Sequence, residues 1–363
     1  AYQQQMEYFV RHLAKADNAV DYAHMERAPL PFMSAMVDDC IKRGKSCQEG
    51  GAIYNFTGPQ AFGVADAGDS LYAIQKNIYE DKRFTLAELR EALEANFGYS
   101  DGAAPICTPS IPESTLDEAQ IYEAVKKILS STGSIDIATL ESHLKQGTGT
   151  GTSCGCKSQA DPSKYATIRN ILKNTDSFGN DIEEVDQFAY RCGKIYCNEV
   201  DKYMNPRGGQ FQAGIYPVSA NVLFGKDVAA LPDGRLATEP LADGVSPRQG
   251  NDVNGPTAAS NSVAKLDHAQ ASNGTLYNQK FTPAAVGGEQ GLKNFVSIIK
   301  SFFDKKGSHV QFNVVDKQTL LDAQEHPEDN QDLIVRVAGY SAHFVTLAKE
   351  VQDDIINRTE HEM

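Results

Sequence analysis

The sequence lacks the features by which membrane proteins and nucleic-acid-binding proteins are usually recognised. It has no run of about 18 apolar residues, and no basic stretch followed by an apolar one opens the chain. Its 34 basic residues are scattered among 48 acidic ones, which gives a formal net charge of −14. An acidic surface repels nucleic acid and anionic lipid. We therefore expect no nucleic-acid partner, no membrane insertion and a cytoplasmic location.

The sequence also lacks a motif for binding metal. Its eight histidines show no paired spacing such as His-Glu-x-x-His. Cys154 and Cys156 flank one glycine and supply two sulfur ligands, fewer than the four of a structural zinc site. The seven cysteines are an odd number in a long chain, which favours reduced thiols in an intracellular protein. We expect no bound metal and no disulfide framework.

Helical and strand patterns alternate along the chain, which is typical of an α/β fold. Thr85 and Glu88 have the spacing of a capping box, which predicts a helix that starts there and ends near residues 97–98. Glycine and proline are dense over 205–265, which predicts long ordered loops. Apolar spacing predicts further helices over 2–16, 32–42, 69–80, 181–203, 288–304 and 349–358, and strands over 309–315 and 333–338.

Residues 100–161 differ in composition from the rest of the chain. They are rich in Ser, Thr, Gly and Pro at their edges, and 147–152 alternate glycine with threonine. Within them, 115–130 has the spacing of a short amphipathic helix. These features predict a flexible insertion. The short helix has two interpretations: it is solvated, or it docks on a partner.

The C-terminal region places a glycine between an apolar strand pattern and a helix. The strand pattern ends at Ala338, Gly339 follows, and the predicted helix begins near Lys349. Glycine is the usual residue where a turn requires a positive φ angle. From spacing alone, Gly339 is therefore interpreted as a turn residue.

The same region resembles the radical loop of the glycyl radical enzymes, the superfamily of pyruvate formate-lyase and the diol dehydratases. The resemblance rests on Arg-Val-x-Gly-Tyr-Ser at 336–341 and on the helix containing Gln-Asp-x-Ile-Ile-x-Arg at 352–358. It extends over the chain outside the insertion. Further matching stretches are 54–60, 205–209, 216–222, 232–235, 244–247, 255–258, 262–266 and 309–315.

This resemblance implies a fold and a set of site residues. The fold would be the C-terminal half of a ten-stranded α/β barrel with surrounding helices, in which 1–224 belong to the barrel domain and 225–363 form a glycine radical domain. Gly339 would store the radical on its α-carbon. Arg336, Tyr340 and Ser341 would support the radical loop. Tyr216 has two interpretations: it lines the substrate pocket, or it is a buried core tyrosine.

The family uses a cysteine thiyl radical that is carried upstream in a Gly-Cys-x-Glu-type motif, and this sequence has no such motif. Cys47 lies in a Cys-x-Glu sequence, but its surroundings match a different family segment, so packing is the ordinary interpretation. A surface or packing role is likewise the ordinary interpretation of His343. We therefore expect a fragment of a longer chain or one half of a split enzyme.

The resemblance favours the radical elimination of water, an amine or a sulfonate from a small polar substrate. Formate C-acetyltransferase is the alternative activity, and a non-catalytic radical-carrying subunit is the alternative of another class. The implied partner is an activating enzyme that uses S-adenosylmethionine and a [4Fe-4S] cluster, with no cofactor bound in this chain. A homodimer and a microcompartment shell that binds 115–130 are further implied partners.

Overall fold

The computed structural model describes residues 1–99, 123, 126 and 162–362. The predicted insertion 100–161, its helix at 115–130 and the Cys154 and Cys156 pair lie outside this part, apart from residues 123 and 126. In the described part, no helix is both long and apolar enough to cross a bilayer. The α-helices are α1 (Tyr2–Arg27), α2 (Pro31–Met36), α3 (Cys40–Arg43), α4 (Val64–Ile74), α5 (Leu86–Glu94), α6 (Pro162–Lys173), α7 (Glu183–Val200), α8 (Ala220–Gly225), α9 (Gly255–Ala264), α10 (Gly288–Asp304), α11 (Lys317–Glu325) and α12 (Lys349–Asn357). The strands are β1 (Asn278–Phe281), β2 (Gln311–Val314), β3 (Ile334–Arg336), β4 (Ser341–His343) and β5 (Glu360–His361).

The elements with strong local signals form where the sequence predicts them. Thr85 Oγ1 accepts a hydrogen bond from the Glu88 backbone N–H, and the Glu88 carboxylate accepts one from Thr85 N at 2.8 Å. The capping box is thereby confirmed, and α5 ends at Glu94 before a short 3₁₀ turn. The helix predicted over 288–304 has those bounds as α10. Local hydrogen bonds and helical periodicity therefore fix these elements.

Several elements were not predicted. Strand β1 is one of them, because it buries polar side chains, Gln279 and Lys280, where a buried strand is usually apolar. Region 205–265 was expected to consist of loops but contains α8 and α9. The first turn of α9 holds Gly255 and Pro256, and small residues follow, so it shows little periodicity. Helices α6 and α11 were also missed.

Residues 1–59 and 195–213 belong to one compact unit. In this unit α1 is eleven residues longer than its predicted range and buries a stripe of small residues that includes Ala14, Ala19 and Ala23. The loop at 205–209 packs tightly on a neighbouring backbone, since a Cβ atom at Gly209 would lie 1.8 Å from the carbonyl oxygen of Asn55. Only glycine fits at this position.

The rest of the described chain, residues 60–99, 162–194 and 214–362, belongs to a second unit. In it β1 pairs in parallel with both β2 and β5, and β3 pairs antiparallel with β4. The described strands form no closed sheet, because strands of two to four residues in a three-stranded and a two-stranded sheet are too few to close a barrel. One core cluster of this unit packs directly around the β3–β4 hairpin and consists of Val315, Leu320, Ala323, Val335, Val337, Phe344, Ile355 and Ile356.

Candidate functional site

Gly339 occupies the turn between β3 and β4. The register pairs Arg336 with Ser341, and Val337 N donates a hydrogen bond to the carbonyl oxygen of Tyr340 at 2.9 Å, which leaves Ala338 and Gly339 as the turn. Gly339 has a φ of +84°, in the region that side-chain-bearing residues rarely adopt. The turn interpreted from spacing is therefore present, and its backbone angle favours glycine.

The α-carbon of Gly339 is accessible on one face. Ala338 and Val337 before it are buried, whereas Gly339 itself is exposed in this chain. Among the described residues, a Cβ atom built on Gly339 would meet Leu276 Cδ1 alone, at an ordinary contact distance of 3.6 Å. A reactant can therefore approach one Cα–H bond of Gly339 without displacing any atom of the described residues.

The side chain of Gln311 holds the Gly339 backbone. Its Oε1 atom accepts hydrogen bonds from Gly339 N and from Arg336 Nη2, both at 3.1 Å. Its Nε2 atom donates to Asn278 Oδ1 and to the carbonyl oxygen of Val337. Gln311 itself is 6% exposed, so water competes little with its side chain for these bonds. Gln311 thus fixes the turn from the neighbouring sheet.

The strand that leads to the turn is held by a second amide on the same face of β2. Asn313 Nδ2 donates to the carbonyl oxygen of Arg336 at 2.8 Å, and Asn313 Oδ1 accepts from Arg336 N at 2.8 Å. Positions 311 and 313 share a face because side chains alternate along a strand. The amide of Asn313 therefore pairs with the β3 backbone as a further strand would.

Buried charges complete the network behind Gln311. Asn278 Nδ2 donates to Asp243, and Arg358 Nη2 lies 3.4 Å from Asp243 Oδ2 and 2.9 Å from Asp354 Oδ2. Burial raises the pKa of Asp354, although the nearby guanidinium opposes this shift. Burial disfavours the charged form of Arg358, but the two carboxylates outweigh it and raise its pKa. A continuous chain of polar contacts therefore links Asp354 to the Gly339 turn.

The residues predicted to support the loop take different positions. Arg336 Nη1 donates to Ser341 Oγ at 3.1 Å, across the base of the hairpin. Tyr340 contributes its backbone carbonyl to the turn, and its side chain lies at the surface. His343 lies exposed on β4 and pairs with Ile334 through the backbone. The predicted trio therefore lies at the hairpin, with Arg336 and Ser341 in direct contact.

Tyr216 is connected to the loop indirectly, through intermediate residues. It is half-buried, and its hydroxyl accepts a hydrogen bond from Asn273 Nδ2 at 2.9 Å. The carbonyl oxygen of the preceding residue, Ile215, accepts from Leu276 N at 3.0 Å, and Leu276 is the residue whose side chain faces Gly339. The segment that carries Tyr216 is thus connected to the turn through a single intermediate residue, Leu276.

Cys47 has a packing role within the first unit. Its backbone N–H donates to Ser34 Oγ at 3.0 Å, and Ser34 Oγ lies 3.3 Å from Cys47 Sγ. Within the described ranges, no group of three or more His, Cys, Asp and Glu side chains is arranged to hold a metal ion.

Sequence reasoning missed the residues that hold the turn from outside the hairpin. The stretch 309–315 was matched to the family, but no role was assigned to Gln311 or Asn313. The available signal was two amides at alternate positions of a strand that also carries apolar residues. Buried amides need hydrogen-bond partners, so such a pair indicates an unusual backbone nearby.

Comparisons with known proteins cover the N-terminal and the C-terminal regions of the chain. A family model described as pyruvate formate lyase-like matches residues 1–225, and one described as glycine radical matches residues 241–345, which include the hairpin. Trans-4-hydroxy-L-proline dehydratase of Clostridioides difficile is 34% identical over 360 residues, which are 99% of this chain and 37% of that protein. The (2S)-3-sulfopropanediol dehydratase of Klebsiella oxytoca is 34% identical over 98% of this chain and 36% of that protein.

Solved structures show the same relationship. The glycerol-bound B12-independent glycerol dehydratase of Clostridium butyricum is 48% identical with a TM-score of 0.78, over 99% of this chain and 38% of that one. A structure from a study of 1,2-propanediol dehydration in Roseburia inulinivorans is 49% identical with a TM-score of 0.80, over the same shares. The chain spans a little more than a third of the length of these relatives. It belongs to the pyruvate formate lyase-like family of glycyl radical enzymes, and its glycine radical region contains Gly339.

Proposed function

We propose that this chain is part of a glycyl radical enzyme that stores its radical on Gly339 and eliminates a group from a small polar substrate. The observation that carries the proposal is the Gly339 turn itself. It combines a glycine whose α-carbon is open on one face with a backbone held by a buried polar network. A radical store needs an accessible Cα–H bond at a fixed position, and the turn provides both.

The chemistry requires glycine at this position. A radical on an α-carbon is delocalised between the adjacent amide nitrogen and carbonyl when the centre is planar. A side chain would clash with the backbone in the planar form and would block the approach of a reactant. The radical would be installed by a separate S-adenosylmethionine-dependent iron–sulfur activase and passed to a cysteine thiol located upstream of this chain.

The proposed division of the chain follows the family. Residues 1–224 would form part of the barrel domain, and 225–363 would form the glycine radical domain. The relatives are more than twice as long as this chain, so the remaining length would complete a ten-stranded barrel. A barrel wall around the exposed turn would keep oxygen and water from the radical.

The degree of identity favours a vicinal diol as the substrate. Identity is 48–49% to the glycerol and 1,2-propanediol structures, against 34% to the hydroxyproline and sulfopropanediol dehydratases. In this proposal Tyr216 helps to bind the diol. Its oxygen accepts the hydrogen bond from Asn273, which leaves the hydroxyl proton available to a substrate oxygen.

Other parts of the proposal concern partners and location. The activase is the obligatory partner, a homodimer is the proposed assembly, and the cytoplasm of an anaerobe, with or without a microcompartment, is the proposed location. Formate C-acetyltransferase remains the alternative activity. A radical-carrying subunit without a reaction of its own remains the alternative of another class.

The test uses the complete protein, activated without oxygen by its activase, S-adenosylmethionine and a reductant. Electron paramagnetic resonance should show a doublet from the single remaining α-proton, and the doublet should be absent from Gly339→Ala. Gly250→Ala is the matched control, because Gly250 has a φ of +82° and equally open surroundings but lies outside the hairpin. A doublet that persists in Gly339→Ala would reject the assignment of the radical site.

The reaction is tested on the activated protein. Conversion of 1,2-propanediol to propanal and water would support the diol dehydratase. Conversion of pyruvate and coenzyme A to formate and acetyl-coenzyme A would establish the alternative. A stable doublet with no turnover of either substrate set, or of other small polar compounds, would favour the radical-carrying subunit.

A further inference from the structure

The conformation of Gly339 is unsuited to the radical that the glycine is proposed to hold. The φ angle is the rotation about the N–Cα bond, and here it is +84°. Loss of a hydrogen atom makes the α-carbon planar, with its half-filled p orbital perpendicular to the plane of N, Cα and C′. At a φ of +84° that plane is almost perpendicular to the preceding peptide plane. The p orbital then overlaps poorly with the nitrogen lone pair, because such conjugation requires coplanar groups.

We propose that Gln311 is a positioning residue that holds Gly339 in this twisted state, and that removal of the hydrogen atom is coupled to rotation about the Gly339 N–Cα bond. The inference rests on the proposed radical site at Gly339 and concerns how that site is controlled. The twisted turn is the resting state. The radical state is a flatter backbone in which both neighbouring peptide groups share the unpaired electron.

The chemical step is a balanced transfer of one hydrogen atom. The Cα–H bond of Gly339 breaks homolytically, and one electron stays on the α-carbon. The proton and the other electron form a new C–H bond on the carbon-centred radical that the activase generates from S-adenosylmethionine with one electron from its iron–sulfur cluster. Gln311 takes no part in this bond exchange. It acts on the backbone angle at which the exchange occurs.

The contacts of Gln311 explain why it opposes rotation. Gly339 N–H points at Gln311 Oε1, at 3.1 Å, while the turn is closed on its other side by the bond from Val337 N to Tyr340 O at 2.9 Å. Rotation about N–Cα moves Tyr340 relative to the Gly339 N–H group, so both bonds cannot be kept. Oε1 is also anchored by Arg336, and Nε2 by Asn278, which prevents the amide from following the backbone.

The first test measures the rate of radical formation with a saturating amount of activase. Gln311→Met keeps the length of the side chain but removes the acceptor, so the resting turn loses the bond that opposes rotation. We expect the doublet to appear about fivefold faster, the equivalent of one hydrogen bond of about 1 kcal/mol. The matched control is Gln324→Met, which removes hydrogen bonds with Gln352, Asp353 and Lys349, three residues that lie outside the hairpin.

The sign of the change separates the inference from a merely structural role. If Gln311 only supported the fold of the loop, Gln311→Met would form the radical more slowly or not at all, and that result would overturn the proposal. An equal acceleration in Gln324→Met would overturn it as well. If the wild-type protein gives no doublet, or Gly339→Ala retains one, it is the proposed radical site that fails.

The second test needs no variant. Protein labelled with ¹⁵N-glycine is activated, and the ¹⁵N hyperfine coupling of the radical is measured by electron–nuclear double resonance. We expect this coupling to equal that of a planar N-acylglycinamide radical. The small-molecule radical is measured in frozen solution as the reference. A coupling typical of a twisted N–Cα bond would show that the radical keeps the φ of the resting turn, and the proposed rotation would be rejected.

Discussion

Replacement of Gly339 by alanine should separate the cost of the backbone conformation from the loss of the radical. The new Cβ atom has room, since its one neighbour within 4 Å in the described part of the chain is Leu276 Cδ1, at 3.6 Å. The backbone N–H that binds Gln311 is retained. The φ of +84° is the remaining penalty, and a left-handed conformation costs an L-residue about 1–2 kcal/mol. Part of this is offset because alanine restricts the unfolded chain.

We therefore expect Gly339→Ala to lower the free energy of unfolding by about 1 kcal/mol, a small part of the roughly 5–15 kcal/mol of a typical domain. The contrasting variant is Gly193→Ala. Gly193 lies inside α7 without a positive φ, and its Cβ atom would lie 3.7 Å from Ile215 and Val64. Alanine in a helix interior should raise the free energy of unfolding by about 0.5–1 kcal/mol.

The assay is urea unfolding followed by circular dichroism, with the wild type and both variants at one pH. The same Gly→Ala exchange should shift the midpoint in opposite directions at the two positions, although the contact distances are alike. A loss of about 4 kcal/mol or more at Gly339 would show that the added methyl group clashes and that the space above its α-carbon is not open. Shifts in the same direction at both positions would refute the backbone argument.

Three further outcomes follow from the structure. Thr85→Ala removes the N-cap of α5 and should lower the free energy of unfolding by about 1 kcal/mol, measured by urea titration. Burial lowers the pKa of Lys280 from 10.5 to about 8. Between pH 8 and 10.5 the unfolded chain therefore binds more protons at Lys280 than the folded chain does. Stability should therefore rise from pH 8 to about 10.5, and a profile unchanged in Lys280→Met would contradict this. Air exposure of the activated protein should cut the backbone at Gly339; mass spectrometry should find a fragment carrying residues 340–363, and an intact chain would count against a radical there.

The sequence could predict those parts of the fold and site whose causes are local. The Thr85–Glu88 capping box needs only groups three residues apart, and α10 needs only its own apolar period. The turn at Gly339 follows from the conformational freedom of glycine beside an apolar strand. The resemblance of 336–341 to the family motif then identified this turn residue as a candidate radical site.

The tertiary structure alone decided what holds that turn. Gln311 and Gly339 are 28 residues apart, and their contact depends on how β2 is placed against the hairpin. No local pattern encodes that placement, because hydrogen-bond partners across strands follow from register and packing. The same holds for β1, whose buried polar side chains find partners only after folding. The sequence by itself therefore determined which glycine stands at the turn, while its twisted backbone angle and the amide that maintains it depend on the folded structure.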